Sequence, residues 1–296
     1  MSKRLGSTLK GLFATSLLVT NVVVFFSAIV PVALVKLVLP SGAMRRGTDR
    51  TLNAIAQGWI AVDNWWMAFV ERIRWDVAGV DNLHRKGWYL MTSNHQSWVD
   101  ILVLQKVFHR RVPFLKFFLK RQLLYVPIMG LAWWALDFPF MRRRSGSRSR
   151  DLAATRKACE RFRQIPTTVM CFLEGTRFSR AKCHQQGSPY RHLLKPRLGA
   201  LTASLAAMGG CFKAVLDVTI IYPAGVPSFW DLLSGKLTQV IVRVRELEIP
   251  KGLLDGDYTD DPILRARIQT WVQKMWAEKD AHIEKLLSSH QSLVEA

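Results

Sequence analysis

Trp88-Tyr89-Leu90-Met91-Thr92-Ser93-Asn94-His95-Gln96-Ser97-Trp98-Val99-Asp100 decides how the chain is read. An apolar, β-favouring run over Trp88–Thr92 enters a short polar stretch, and a helical pattern over Trp98–Phe108 follows directly. His95 therefore falls on a strand-to-helix connection, where a side chain can face a ligand. Outward from this point the alternation repeats. Strands are predicted over Thr168–Leu173, Ala214–Tyr222 and Leu237–Val244. Helices are predicted over Pro113–Tyr125, Asp151–Arg163 and Arg197–Met208. Strands alternating with helices imply an α/β domain with a mixed sheet covered by helices. Near the end, Asp261-Pro262 supplies an N-cap and a first-turn proline. Leu264, Ile268, Trp271 and Met275 then recur at helical spacing, so a terminal amphipathic helix is expected.

The N-terminus is different in kind. No charged residue stands between Gly11 and Val35. That run exceeds the roughly 20 apolar residues needed to cross a bilayer, and it is longer than the apolar core of a cleaved signal peptide. Pro31 predicts a kink or a re-entrant turn within it, and Pro40 an end to it. Lys3, Arg4 and Lys10 precede the run and Arg45, Arg46 and Arg50 follow it, so flanking charge does not fix its orientation. Residues 52–70 are apolar and tryptophan-rich (Trp59, Trp65, Trp66) but contain Asp63. A membrane-interface helix and a core helix both account for that pattern. The expected organisation is a membrane-anchoring helical region over 1–71, a catalytic α/β domain over 72–255 and a helical extension over 256–296.

The 296 residues carry a net charge of +20. Such a surplus calls for an anionic partner. It is concentrated between Gln105 and Arg163, with fifteen Lys and Arg against three acidic residues, including the basic loop Arg142–Arg150. Beside an apolar anchor, that distribution points to anionic membrane lipid. No nucleic-acid-binding motif accompanies it, so nucleic acid is not an expected partner. The four cysteines (159, 171, 183, 211) form no C-x-x-C pair and no His/Cys cluster has zinc spacing, so reduced thiols and no metal site are expected.

Two stretches carry chemistry. In the first, Asp100 follows His95 by five residues at the start of a helix, where its carboxylate can reach back to the imidazole and make it a better base. A loop histidine satisfying backbone is the alternative. In the second, Phe172-Leu173-Glu174-Gly175-Thr176-Arg177 again closes a predicted strand. Its glycine admits close backbone approach, and its arginine offers a planar fork for phosphate. No serine or cysteine sits in a nucleophile motif such as G-x-S-x-G, which favours direct transfer over a covalent intermediate.

Together the two stretches resemble the 1-acyl-sn-glycerol-3-phosphate acyltransferase (PlsC-type) family over about residues 75–250. Asn94, His95, Ser97 and Asp100 complete its first motif. Glu174, Gly175, Thr176 and Arg177 match the third, with Leu173 in the place of its usual proline. Asp137-Phe138-Pro139-Phe140-Met141-Arg142-Arg143 is similar to the second, with Asp137 where the family has glycine. Ile220-Ile221-Tyr222-Pro223 is similar to the fourth. Trp133–Arg143 and Leu232–Thr238 are most similar to the YihG-type bacterial acyltransferases.

The resemblance implies a glycerolipid-acyltransferase-like fold and a role for each matching position. His95 is the expected general base and Asp100 orients it. Arg143 and Arg177 hold the acceptor phosphate, with Glu174, Gly175 and Thr176 shaping that pocket. Outside the matching motifs, the basic Lys195-Pro196-Arg197 is a further candidate phosphate contact by its charge alone. The expected partners are a lysophospholipid acceptor and an acyl thioester donor, either acyl-CoA or an acyl-carrier protein. No cofactor is expected, because the thioester is already activated. The expected location is a bacterial inner membrane with the site facing the cytoplasm. Glycerol-3-phosphate or another lysophospholipid as acceptor, and an inactive lipid-binding scaffold on the same fold, are the competing readings.

Overall fold

The computed structural model describes residues 2–39, 42–70, 72–126, 129–141, 162–163, 165–254 and 261–295. Two long helices open the chain, α1 (Ser2–Val38) and α2 (Ala43–Val70). α1 does not turn back at Pro31. Proline removes one helical hydrogen bond, and packing along α2 holds the segment in a single helix despite that loss. Across the hairpin, the Asn21 amide donates to the Asp63 carboxylate at 2.8 Å, and the Trp66 indole donates to the same oxygen at 3.1 Å. Within the tryptophan-rich stretch, Trp66 is 1% exposed and belongs to a core, while Trp65 is 61% exposed.

A six-stranded sheet follows. Its strands are β1 (Arg74–Ala78), β2 (Trp88–Ser93), β3 (Leu115–Phe117), β6 (Thr168–Phe172), β7 (Phe212–Ile221) and β8 (Gln239–Leu247), in the order β1-β8-β7-β2-β6-β3. Only β7–β8 is antiparallel. β4 (Leu119–Lys120) and β5 (Phe140–Met141) form a separate two-stranded ribbon. The helices are α3 (Val99–Phe108), α4 (Met129–Ala135), α5 (Arg180–Gln186), α6 (Gly199–Met208), α7 (Phe229–Leu233) and α8 (Pro262–Glu295).

Alternation along the central strands builds two cores. Tyr89 and Met91 of β2 face α3, α1 and α2, joining Val103, Ile29 and Ile60. Leu90, between them, faces α6 and α8, joining Leu205, Ile268 and Trp276. Successive strand residues point to opposite faces, so helices cover both sides of the sheet. Leu264, Ile268 and Met275 of α8 are buried, as their spacing requires.

Pro113–Tyr125 and β1 depart from the sequence reading, and the short elements α4, β5, α5 and α7 are additions to it. Pro113–Tyr125 is not a helix: it contains β3, β4 and a 3-10 turn over Arg121–Tyr125. The edge of β6 offers backbone groups that need partners, and the apolar run 114–119 supplies them. Thr168 N–H donates to the Phe114 carbonyl at 3.1 Å, and Phe118 N–H to that of Met170 at 3.3 Å. β1 is an added strand, pairing with β8 from Arg74↔Gln239 to Ala78↔Arg243. The expected helix over Asp151–Arg163 falls almost wholly outside the described residues, and the basic loop Arg142–Arg150 lies entirely outside them.

Candidate active site

β2, β6 and β7 run parallel, so their C-terminal ends share one edge of the sheet, with Ser93 beside Phe172 and Val218. The residues that follow these strands therefore converge: His95 after β2, Glu174–Arg177 after β6 and Tyr222 after β7. Ligands of open α/β sheets bind at such edges.

The turn after β2 is fixed by side chains acting as backbone. Asn94 Nδ2 donates to the Ile220 carbonyl and Asn94 Oδ1 accepts from Ile220 N–H, each at 2.8 Å. Ser97 Oγ donates to the Pro227 carbonyl at 2.6 Å and accepts from Val99 N–H at 3.2 Å. Between these anchors, His95 Nδ1 lies 2.9 Å from Asp100 Oδ2. The same oxygen accepts from Gln96 N–H at 2.6 Å and Ser97 N–H at 2.9 Å. Asp100 Oδ1 accepts from the Tyr222 hydroxyl at 2.6 Å. Asp100 is 1% exposed, and four donors compensate its charge. An ionised carboxylate on Nδ1 makes that nitrogen the protonated one, leaving Nε2 with a lone pair. The imidazole is held flat against Phe172, with centroids 4.0 Å apart and planes 18° apart.

Glu174 sits beneath the histidine, fully buried. Its Oε1 accepts from His95 N–H at 2.7 Å and its Oε2 from Leu194 N–H at 3.0 Å. Burial pushes its pKa up to about 8, against the pull of those two amides. Glu174 therefore shapes the site from behind. Gly175 makes the turn that brings it there, with φ +67 and its N–H donating to the Phe172 carbonyl at 2.9 Å. Phe178 N–H donates to the His95 carbonyl at 2.6 Å, so both backbone groups of His95 belong to this second loop. Arg177 is exposed and its guanidinium lies 5.3 Å from the Trp98 ring, on the rim beside His95. Thr176 Oγ1 and the Arg177 carbonyl accept from Lys182 Nζ at 3.0 and 2.8 Å.

His95, Asp100, Glu174, Gly175, Thr176 and Arg177 are thus brought together, while Arg143 lies outside the described residues. Arg197 N–H is used by the Leu173 carbonyl at 2.7 Å. Two neighbours were not singled out from sequence. Tyr222 stood in the fourth motif only as the residue before a strand-ending proline. Burial and the adjacent Asp100 charge push its phenol well above the usual range, so it remains a donor. Lys182 carried no signal beyond charge.

Asp137, in the glycine position of the second motif, has φ +55. Aspartate is among the few residues that accept this left-handed backbone. Its carboxylate is paired with Lys36 of α1.

A histidine whose Nδ1 meets a buried carboxylate at the C-terminal edge of a mixed sheet is an arrangement chemically suited to general-base transfer to an alcohol. The acyltransferase family model matches residues 74–226, and the chain belongs to that family. It is 27% identical over 241 residues to 1-acyl-sn-glycerol-3-phosphate acyltransferase 3 of Arabidopsis thaliana, covering 75% of this chain and 59% of that protein. It is 26% identical over 230 residues to the human 1-acyl-sn-glycerol-3-phosphate acyltransferase gamma, covering 73% and 58%. The chain thus spans under two thirds of the length of these curated relatives. The crystal structure of the lysophosphatidic acid acyltransferase PlsC from Thermotoga maritima has a similar fold. The TM-score is 0.58 at 15% identity, over 97% of this chain and 99% of that one.

Proposed function

We propose that the protein is a membrane-bound acyltransferase that moves a fatty acyl group from a thioester, acyl-CoA or acyl-carrier protein, to the free hydroxyl of 1-acylglycerol-3-phosphate, giving phosphatidic acid. The observation that carries the chemistry is the 2.9 Å contact from Asp100 Oδ2 to His95 Nδ1, which leaves Nε2 as the base. His95 Nε2 takes the hydroxyl proton as the alcohol oxygen attacks the thioester carbonyl carbon. The tetrahedral intermediate then expels the thiolate, which takes that proton from the imidazolium. The new ester bond replaces the thioester bond, and the enzyme returns to its starting state. Asp100 stabilises the imidazolium between these steps. Arg177 on the rim, with Arg143, supplies positive charge for the acceptor phosphate. The relatives' names support this acceptor class. The apolar α1 supports attachment to a membrane, here assigned to a bacterial inner membrane with the site on the cytoplasmic side.

The deciding experiment is turnover of lysophosphatidic acid by full-length protein in detergent, with acyl-CoA and acyl-carrier-protein donors in parallel. His95→Ala should lower kcat by about 10²–10⁴-fold. Folded His95→Ala that keeps substantial turnover would remove the general-base assignment. Transfer to glycerol-3-phosphate or another lysophospholipid, in place of lysophosphatidic acid, would reassign the acceptor. Absence of transfer from either donor to any of these acceptors would leave a lipid-binding scaffold.

A further inference from the structure

The helix α8 lies behind the sheet, yet its side chains lead to the catalytic loop by two routes. In the first, the buried Trp276 indole N–H donates to the Leu194 carbonyl at 2.9 Å. The Leu194 N–H donates to Glu174 Oε2, and Glu174 Oε1 holds the His95 N–H. The 190–194 segment is gripped again one turn along α8. Asp280 Oδ2 accepts from Arg191 N–H at 2.9 Å and Oδ1 from His192 N–H at 2.8 Å, while Glu284 takes both of their side chains. In the second route, Lys279, fully buried, donates to the Val218 carbonyl and pairs with Asp217 Oδ1, each at 2.7 Å. Thr92 Oγ1, three residues before His95, donates to that same Asp217 oxygen at 3.1 Å. Burial lowers the Lys279 pKa from its ordinary value, opposed by Asp217.

A helix needed only to cover a sheet requires apolar contacts, which Leu264, Ile268 and Val272 already supply. The polar residues of the next turns do something else. They fix the backbone of a segment whose amide shares one carboxylate with the histidine. We infer that α8 is a positioning element for acyl transfer, in which Trp276 and Asp280 hold the 190–194 segment so that Glu174 aligns the His95 backbone. The inference rests on the acyl-transfer reading for its kinetic consequence, but not for its mechanical one.

The test uses full-length protein in detergent, with lysophosphatidic acid and acyl-CoA as probes. Trp276→Phe keeps an aromatic ring in the core and deletes the indole N–H, at the cost of a small void that the Ile268→Val truncation controls for. Asp280→Ala loosens the same segment from the surface, and remains informative where the tryptophan variant folds poorly. Either change should lower kcat by about 5- to 20-fold with both KM values within about twofold, because misalignment of a positioned base costs turnover rather than binding. Deuterium uptake should rise in the peptide covering 93–98 as well as in 190–194. Ile268→Val, a truncation on the same helix outside both routes, should lower the thermal midpoint with kcat and 93–98 uptake unchanged. Parent-like kcat and exchange in the folded variants would overturn the inference, as would an equal kcat loss in Ile268→Val. If the parent shows no acyl transfer, the functional reading fails, and the exchange measurement alone then decides whether α8 is coupled to the loop.

Discussion

Tyr222 donates to the Asp100 oxygen that His95 does not use. Tyr222→Phe should therefore leave the fold intact and lower kcat by roughly 3- to 10-fold, because a hydrogen bond to a charged group contributes about 1.5–3 kcal/mol and three N–H donors remain. A kcat equal to that of the parent, with the thermal midpoint unchanged, would show that the Tyr222 hydrogen bond to Asp100 does not bear on turnover. Glu174 makes a prediction of a different sort. Its folded pKa, about 8, lies above the ordinary 4.5 because its charge is out of reach of water. Between those values the folded state binds the extra proton, so stability falls as pH rises. The contribution is fully present below about 4.5 and is lost as pH passes through about 8. Thermal midpoints measured from about pH 5 to about pH 9 should fall less steeply in Glu174→Gln than in the parent. Parallel slopes would assign that pH dependence to other groups. The burial that raises this pKa also explains what sequence alone shows of Glu174. Its place in a motif marks it as important, but nothing in the chain order tells that its oxygens face the amides of residues 79 positions before and 20 after it.

At the scale of elements, the ribbon β4–β5, whose second strand ends two residues before Arg143 in the chain, is tied to the N-terminal helices by one buried cation. Lys36 Nζ donates to the Ala135 carbonyl at 2.8 Å, sits 2.7 Å from Asp49 of α2, and pairs with Asp137. Removing Lys36 leaves two carboxylates facing each other in a site of little exposure. Loss of one partner from a buried ionic cluster costs about 3–5 kcal/mol. Lys36→Met should accordingly lower the thermal midpoint and raise the acceptor KM. Asp137→Gly in that background should restore much of both, because glycine accepts φ +55 without needing the lysine. A double variant no better than Lys36→Met would show that the cluster does not hold the ribbon. The departure of Asp137 from glycine was visible in the sequence, while its compensation by a residue 101 positions away was not. The same difference governs the elements. β2, α3 and β7 were legible because their patterns are local and strong. The 113–125 run was misread because short apolar runs fit either period, and the open edge of β6 made the choice. β1 escaped because Arg74 and Asp76 break its apolar pattern, and its partner β8 lies far along the chain.

For the molecule as a whole, the sheet domain and the helical hairpin form connected cores, yet their surfaces differ. Leu9, Phe13, Val24, Leu34 and Val38 of α1 are exposed, where a water-soluble domain would present polar groups. Among the described residues, Leu5–Val38 is the one helix long and apolar enough to cross a membrane. At about 1.5 Å per residue it is roughly 50 Å long, against a hydrocarbon core of roughly 30 Å, so a helix of this length inserted in a bilayer would tilt or emerge from it. Its other face is not free. Ile29 and Ala33 join the core with Val103 of α3 and Val218 of β7, so α1 and the domain bearing His95 pack as neighbours. Two forms of attachment thus separate by experiment. Electrostatic attachment through the +20 surface weakens with salt, because charges further apart than about 8–10 Å are screened at physiological ionic strength. Apolar attachment through α1 does not. Full-length protein should remain with membranes through high-salt and alkaline carbonate washes. Replacing the exposed Leu9, Phe13, Val24 and Leu34 with serine should make the protein extractable, while the inward-facing Ile29 and Ala33 still dock the hairpin. Release of the parent by salt alone would reduce α1 to a cover for the sheet and leave the basic surface as the membrane contact. Retention of the serine variant through carbonate would shift the apolar attachment to α2, where Met44, Val62 and Trp65 are also exposed.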